Sequence, residues 1–249
     1  MKKTIQRVLA AVILFAMILS GGFSEVGKVH AEKQQGTTKR AIYVVFDNSG
    51  SMYGDGNKAW SQATYAMEVF AAMMNYESGD VMKVFPMHDI TTDGNTGSAT
   101  KSSMEIRGKD DIAQIHNMYT PKPGGTPYTQ VNNAAGELTK LLNAGSVDEG
   151  WLVVLTDGDF DNDIPASGLK ADLEGKAAAN ENLYVQYLAI GTDVKNIPEG
   201  NADKGLYAQK AGNTSEVVNE LAEISNRIFK RNEYAGYSSE DSGLEFDIP

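Results

Sequence analysis

The run Ala41-Ile-Tyr-Val-Val-Phe46, followed at once by Asp47-Asn-Ser-Gly-Ser-Met52, decides how this chain folds. Six consecutive apolar or β-branched residues predict a strand buried on both faces, as in a parallel sheet. Beyond it every second position carries an oxygen: Asp47, Ser49 and Ser51. A loop leaving the carboxyl end of a buried strand can aim alternate side chains at one point, and that end is where open α/β sheets hold their ligands. One carboxylate and two hydroxyls form a hard, oxygen-only donor set, suited to Mg²⁺ rather than to a soft metal.

Further along the chain a second apolar run, Trp151 to Leu155, also stops in oxygens, from Thr156 through Asp157 to Asp163. Val81 to Phe85, Met104 to Arg107 and Leu183 to Ile190 read as further strands, and Leu206 to Ala208 as a short edge strand. Between them lie apolar stripes at helical spacing. The first has Asn57 as a plausible N-cap and runs through Trp60, Ala63, Met67, Phe70, Ala71 and Met74. A brief one covers Ile112, Ile115 and Met118, and Pro127 is expected at the first position of the next, through Val131, Ala134, Ala135, Leu138, Leu141 and Leu142. Leu169, Leu173 and Ala177 mark another. The last opens at Asn213 with Glu216 three residues on, which resembles a capping box. Strands alternating with helices predict an α/β doubly wound, mostly parallel sheet flanked by helices.

The ends of the chain read differently. Lys2, Lys3 and Arg7, a short apolar core from Val8 to Leu19 and the small residues around Val29-His-Ala31 describe a secretory signal peptide over residues 1–31. An uncleaved signal anchor is the alternative, and either exports the rest of the chain. Without residues 1–31 the formal charge moves from −11 to −14, since four basic residues leave against one acidic. So acidic a surface repels phosphate backbones and anionic lipid, which disfavours nucleic acid as a partner and any membrane contact except through that signal or an anchor outside the sequence. With no cysteine there is no disulfide framework and no thiolate site. Residues 32–39 form a polar linker. Residues 233–249 hold five acidic and no basic residues, and Leu244, Phe246 and Ile248 alternate like the first residues of a strand. They are expected to be an acidic linker and the start of a further, β-rich domain of a longer exported protein.

Three loops are expected at one sheet edge: Asp47/Ser49/Ser51, Thr126 after Gly124-Gly125, and Asp157 before Gly158. Together they resemble the von Willebrand factor A (vWA) family over roughly residues 40–232. The metal-ion-dependent adhesion site of that family joins D-x-S-x-S after the first strand, a threonine from a Gly-rich loop and an aspartate after the fourth strand. The resemblance implies a Rossmann-like sheet with one antiparallel edge strand. It also implies a metal held by Ser49 and Ser51 directly, by Thr126 directly or through water, and by Asp47 and Asp157 close in. Mg²⁺ is the expected ion; Mn²⁺ suits the same donors, and Ca²⁺, which takes more oxygens, suits them less well. A coordination position is left for an Asp or Glu carboxylate of a partner protein. The expectation is an exported, surface-associated, metal-dependent adhesion module.

Other readings stay open at the level of sequence. Ser49 and Ser51 can shape a turn, and Thr126 can cap a helix. The metal site can serve only to stiffen a domain of a larger surface protein. A Mg²⁺-dependent phosphatase of the haloacid-dehalogenase type would need a second carboxylate two residues after Asp47, where Ser49 stands, so no enzyme activity is expected. With Asp157, the residues Asp159, Asp161 and Asp163 mimic the start of a Ca²⁺ loop. That loop needs glycine where Asn162 stands and glutamate where Gly168 stands, so a solvated acidic loop is expected. His88 and His116 are lone histidines, expected at the surface or in the core rather than on a metal. The long turn from Thr91 to Ser103 is expected on the metal edge, where it would help choose a partner.

Overall fold

A computed structural model describes residues 38–87, 103–108, 111, 126–158, 160 and 164–230; the side chains of 53–58 are not among what it describes. The expectations placed on the signal peptide, His88, Thr91 to Ser102, the brief helix at 112–118 with His116, Gly124-Gly125, Asp159, Asp161, Asn162, Asp163 and residues 231–249 lie outside the described residues.

Six strands form one sheet: β1 (Arg40–Phe46), β2 (Val81–Pro86), β3 (Met104–Ile106), β4 (Glu149–Thr156), β5 (Leu183–Ile190) and β6 (Leu206–Ala211). Their spatial order is β3-β2-β1-β4-β5-β6. Every pairing is parallel except β2 with β3, which makes β3 the antiparallel edge strand that the motif resemblance implies. Four described helices flank it: α1 (Gly54–Met73), α2 (Thr129–Asn143), α3 (Leu169–Ala177) and α4 (Thr214–Phe229). This is the α/β doubly wound, mostly parallel architecture that the sequence predicts.

The central strands explain the layering. In β1 and β4 all but Arg40 are buried, and alternate residues feed opposite cores. Ile42, Val44, Phe46, Trp151, Val153 and Leu155 face α1 and α4, meeting Met67, Phe70, Leu221 and Ile224. Ala41, Tyr43, Val45, Leu152 and Val154 face the other way, onto Val131, Ala134 and Leu138 of α2 and Leu173 of α3. The unbroken apolar runs exist because both faces are covered. The strand order reverses between β1 and β4, so the crevice at their carboxyl ends is a switch point of the topology, where sheets of this kind leave room for a ligand.

Two boundaries differ from expectation. Helix α1 starts at Gly54 rather than after an Asn57 cap, because a 3₁₀ turn over Gly50–Tyr53 already winds the chain helically as it leaves the loop. Helix α2 starts at Thr129, with Tyr128 at its N-cap in α conformation and Pro127 before it, so the proline fixes the approach rather than the first turn. The final helix follows its sequence signature. The Asn213 side chain accepts from the Glu216 N–H at 3.0 Å, while Glu216 reaches back to the Gly212 N–H at 2.6 Å, one residue before the usual target. Its other end is pinned: Lys230, left-handed at φ 52°, pairs at 2.7 Å with Glu149, the first residue of β4.

Candidate metal centre

Asp47 begins where the ladder ends. Its N–H donates to Leu155 O at 2.8 Å, one step past Phe46, so the residue leaves β1 still fastened to β4. The carboxylate then organises its own loop: Oδ1 accepts the Ser49 N–H at 2.8 Å, a local turn closed by the aspartate itself. Ser49 Oγ and Ser51 Oγ lie 2.9 Å apart in a hydrogen bond. Asp47 and Ser49 are buried and Ser51 is exposed, so the donors step outward from the sheet to solvent.

Across the switch point, Thr156 ends β4, and its buried hydroxyl donates to Asp47 Oδ2 at 2.8 Å. The hydroxyl oxygen of Thr156 in turn accepts the Gly158 N–H at 2.9 Å. Half-buried Asp157 therefore sits on a turn tied to Asp47 from one side. From the other side the loop after β5 grips it. Lys195 N–H donates to Asp157 O at 2.9 Å, and the Asn196 amide donates to Gly158 O at 2.8 Å. Asn196 is itself left-handed, at φ 48°, and its carbonyl accepts a long 3.4 Å bond from the Tyr187 hydroxyl. Gly158 has φ +79°, and a Cβ there would lie 1.6 Å from Lys195 O. Only glycine fits this close backbone approach.

Thr126, also buried, stands three residues before α2. Among the described residues no hydrogen bond links it to the other four. Tyr128 makes the nearest described connection: its ring meets Phe160 edge-on at 5.5 Å, three residues past Asp157, and its hydroxyl donates to Asp172 of α3 at 2.7 Å. The structure thus joins Asp47, Ser49, Ser51 and the Asp157 turn by hydrogen bonds and, among the described residues, shows Thr126 buried at the approach to α2 without such a bond to them. Thr156, Gly158, Tyr128, Lys195 and Asn196 were not singled out by the sequence as site residues. Gly158 alone carried a signal there, as the residue closing Thr156-Asp157-Gly158.

The electrostatics are those of a carboxylate held out of water. Burial pushes Asp47 up to about 6; bonds from Ser49 and Thr156 pull it back, and the Asp157 charge adds to the rise. Tyr187, beneath the site, is raised by burial and then by the charges of Asp47 and Asp157. Among the described residues no Lys, Arg or His side chain pairs with Asp47, and no group of three or more His, Cys, Asp or Glu gathers anywhere. Two carboxylates on neighbouring loops, close enough that the Asp157 charge adds to the rise at Asp47, beside paired hydroxyls at a solvent boundary, fit a small hard divalent cation. They do not fit a cage of imidazoles or thiolates.

Fold and loops together define a doubly wound α/β domain with an oxygen-rich crevice at the β1/β4 switch point. Set beside solved structures, the chain is similar to the pilus adhesin SpaC from Lactobacillus rhamnosus GG, with a TM-score of 0.50 and 18% identity over 79% of this chain. It covers only 31% of SpaC, so it spans about a third of that protein's length. A weaker likeness is to proximal thread matrix protein 1 from the mussel byssus (TM-score 0.46, 15% identity, 78% of this chain and 46% of that one). Another is to the manganese-loaded TRAP protein of Plasmodium vivax (TM-score 0.34, 16% identity, 60% and 57%). The SpaC likeness is one of fold; the other two are too distant to add to it. No protein-family model matches the sequence, and no curated protein does.

Proposed function

We propose that this chain is an exported vWA-type adhesion module that grips a partner protein through Mg²⁺. The observation that carries the reading is the pair of carboxylates, Asp47 and Asp157, fixed on neighbouring loops beside the Ser49–Ser51 hydroxyl pair. Asp47, Ser49, Ser51, Thr126 and Asp157 would hold the ion, with Mn²⁺ able to replace it. Two carboxylates neutralise a divalent charge and the hydroxyls add donors without adding charge, which leaves the ion electrophilic toward a third carboxylate. When bound, the ion supplies a Lewis-acidic position for an Asp or Glu of the partner. This chain's own residues do the rest: Ser49 N–H and Thr156 Oγ–H orient Asp47, and the loop after β5 holds Asp157. The role is binding rather than catalysis, because Ser49 occupies the position that a phosphatase's general acid would need. Export rests on the basic-then-apolar character of residues 1–31, and surface location on the adhesion reading itself.

Calorimetry with Mg²⁺ on the wild type and on Asp47→Ala tests the site. The variant is expected to lose heat of binding while keeping the circular dichroism of the fold, since Asp47 lies past the end of its strand. Equal Mg²⁺ affinity in the two proteins refutes the reading. Repeating the titration with an acidic peptide present separates adhesion from a purely stiffening metal: in the second case the peptide changes nothing.

A further inference from the structure

One buried hydroxyl stands between the two carboxylate-bearing loops. Thr156 is 0% exposed, and its two hydrogen bonds reach one loop each, Asp47 on one side and Gly158 on the other. Their directions are fixed by chemistry: an ionised carboxylate only accepts and a backbone N–H only donates. The hydroxyl proton must therefore point at Asp47 Oδ2, and a lone pair must point at Gly158 N. Ser49 N–H donates to Oδ1 and the Ser49 hydroxyl also bonds the carboxylate, so Asp47 is held by Ser49 on its own loop and by Thr156 from across the switch point. The γ-methyl of threonine restricts rotation about χ1, so the hydroxyl has few ways to turn aside.

We propose that Thr156 is a positioning residue of the metal centre, one that contacts no metal but sets the Asp47 carboxylate and the Asp157 turn in a common register before the ion arrives. The inference rests on the Mg²⁺ reading above. Its physical content is preorganisation. Without this hydroxyl, Asp47 Oδ2 loses that donor and the Gly158 N–H is left buried and unpaired, so both loops must move to regain partners. The ion would then meet two charges that it has to align at its own cost.

The test uses Mn²⁺ as probe, its free ion counted by electron paramagnetic resonance, on wild type, Thr156→Val, Thr156→Ser and Thr64→Val. Thr64 is the control: it is equally buried, its hydroxyl donates to Trp60 O at 3.0 Å, and it lies in α1. Urea unfolding of each protein gives the stability cost separately. Thr156→Val is expected to bind Mn²⁺ about tenfold more weakly, Thr156→Ser within about threefold of wild type, and Thr64→Val unchanged whatever its stability. Unaltered binding in Thr156→Val overturns the proposal, as does an equal loss in Thr64→Val. Should Thr156→Val fail to fold, Thr156→Ser decides, because a tenfold loss with the hydroxyl still present would assign the effect to packing. A wild type that binds no Mn²⁺ sinks the metal reading itself and this inference with it.

Discussion

Replacing Gly158 by alanine adds one methyl group where the structure has no room for it. The new Cβ would lie 1.6 Å from Lys195 O and 2.7 Å from Lys195 C, both backbone atoms that cannot rotate away. Relief requires the loop after β5 to retreat. That breaks the bond from Lys195 N–H to Asp157 O and the one from the Asn196 amide to Gly158 O. At about 1 kcal/mol net for each bond, and about 1–2 kcal/mol for an alanine held at positive φ, the cost is about 3–4 kcal/mol. Gly145 supplies the control. It too has positive φ, +64°, but a Cβ there meets nothing within 4 Å. Gly145→Ala should therefore cost only the conformational part, about 1 kcal/mol after the gain from a stiffer unfolded chain. Urea unfolding with m held constant measures both. Because the retreating loop lets go of the Asp157 turn, Gly158→Ala should also lose Mg²⁺ affinity that Gly145→Ala keeps. If the two variants lie within about 1 kcal/mol of each other, the post-β5 loop does not clamp this turn, and the account of how Asp157 is held is wrong.

Three further outcomes are expected. Saturating Mg²⁺ should stabilise the domain, by about 2.7 kcal/mol at a hundred times the dissociation constant, and EDTA should reverse it; an unfolding midpoint indifferent to both contradicts the metal reading. Asn213→Ala should cost about 1 kcal/mol, because it removes the acceptor for Glu216 N–H at the start of α4; a loss below about 0.3 kcal/mol would show that Glu216's bond to Gly212 suffices. Lys230→Ala should cost about 1–2 kcal/mol, well short of a fully buried pair: its side chain is 63% exposed and water can replace it, while Glu149 keeps the 2.6 Å bond from Trp151 Nε1. Glu149→Ala should cost more than Lys230→Ala in the same urea titration, since it leaves the Trp151 N–H buried without its acceptor.

The parts of the fold legible in the sequence are those governed by near neighbours. The β1 and β4 runs are apolar throughout because both faces are covered, and the alternating oxygens of Asp47, Ser49 and Ser51 follow from a single loop. The cap of α4 is written in two residues three apart. The hidden parts depend on residues far apart along the chain. Thr156 reads only as the first oxygen after an apolar strand until Asp47, 109 residues earlier, is placed beside it. Asn196 looks like loop filler until its amide meets Gly158, and Glu149 like a charged strand end until Lys230 and Trp151 close on it. The start of α1 departs from its sequence signal because Asn57 is a good cap by type, and a preceding 3₁₀ turn leaves no composition mark to compete with it.

The placement of Lys230 has a mechanical consequence. The candidate metal centre lies at the carboxyl edge of the sheet, while Arg40, Glu149 and Lys230, the last described residue, lie at the amino edge. A pull between the crevice and residue 230 therefore runs along the strands and not across them. Under such a load the parallel ladders joining β1 to β2 and to β4 must slide past one another, so their hydrogen bonds share the force and fail together rather than peeling one by one. A domain strung this way resists extension through its sheet, and its lifetime under load is set by the rate of that sliding.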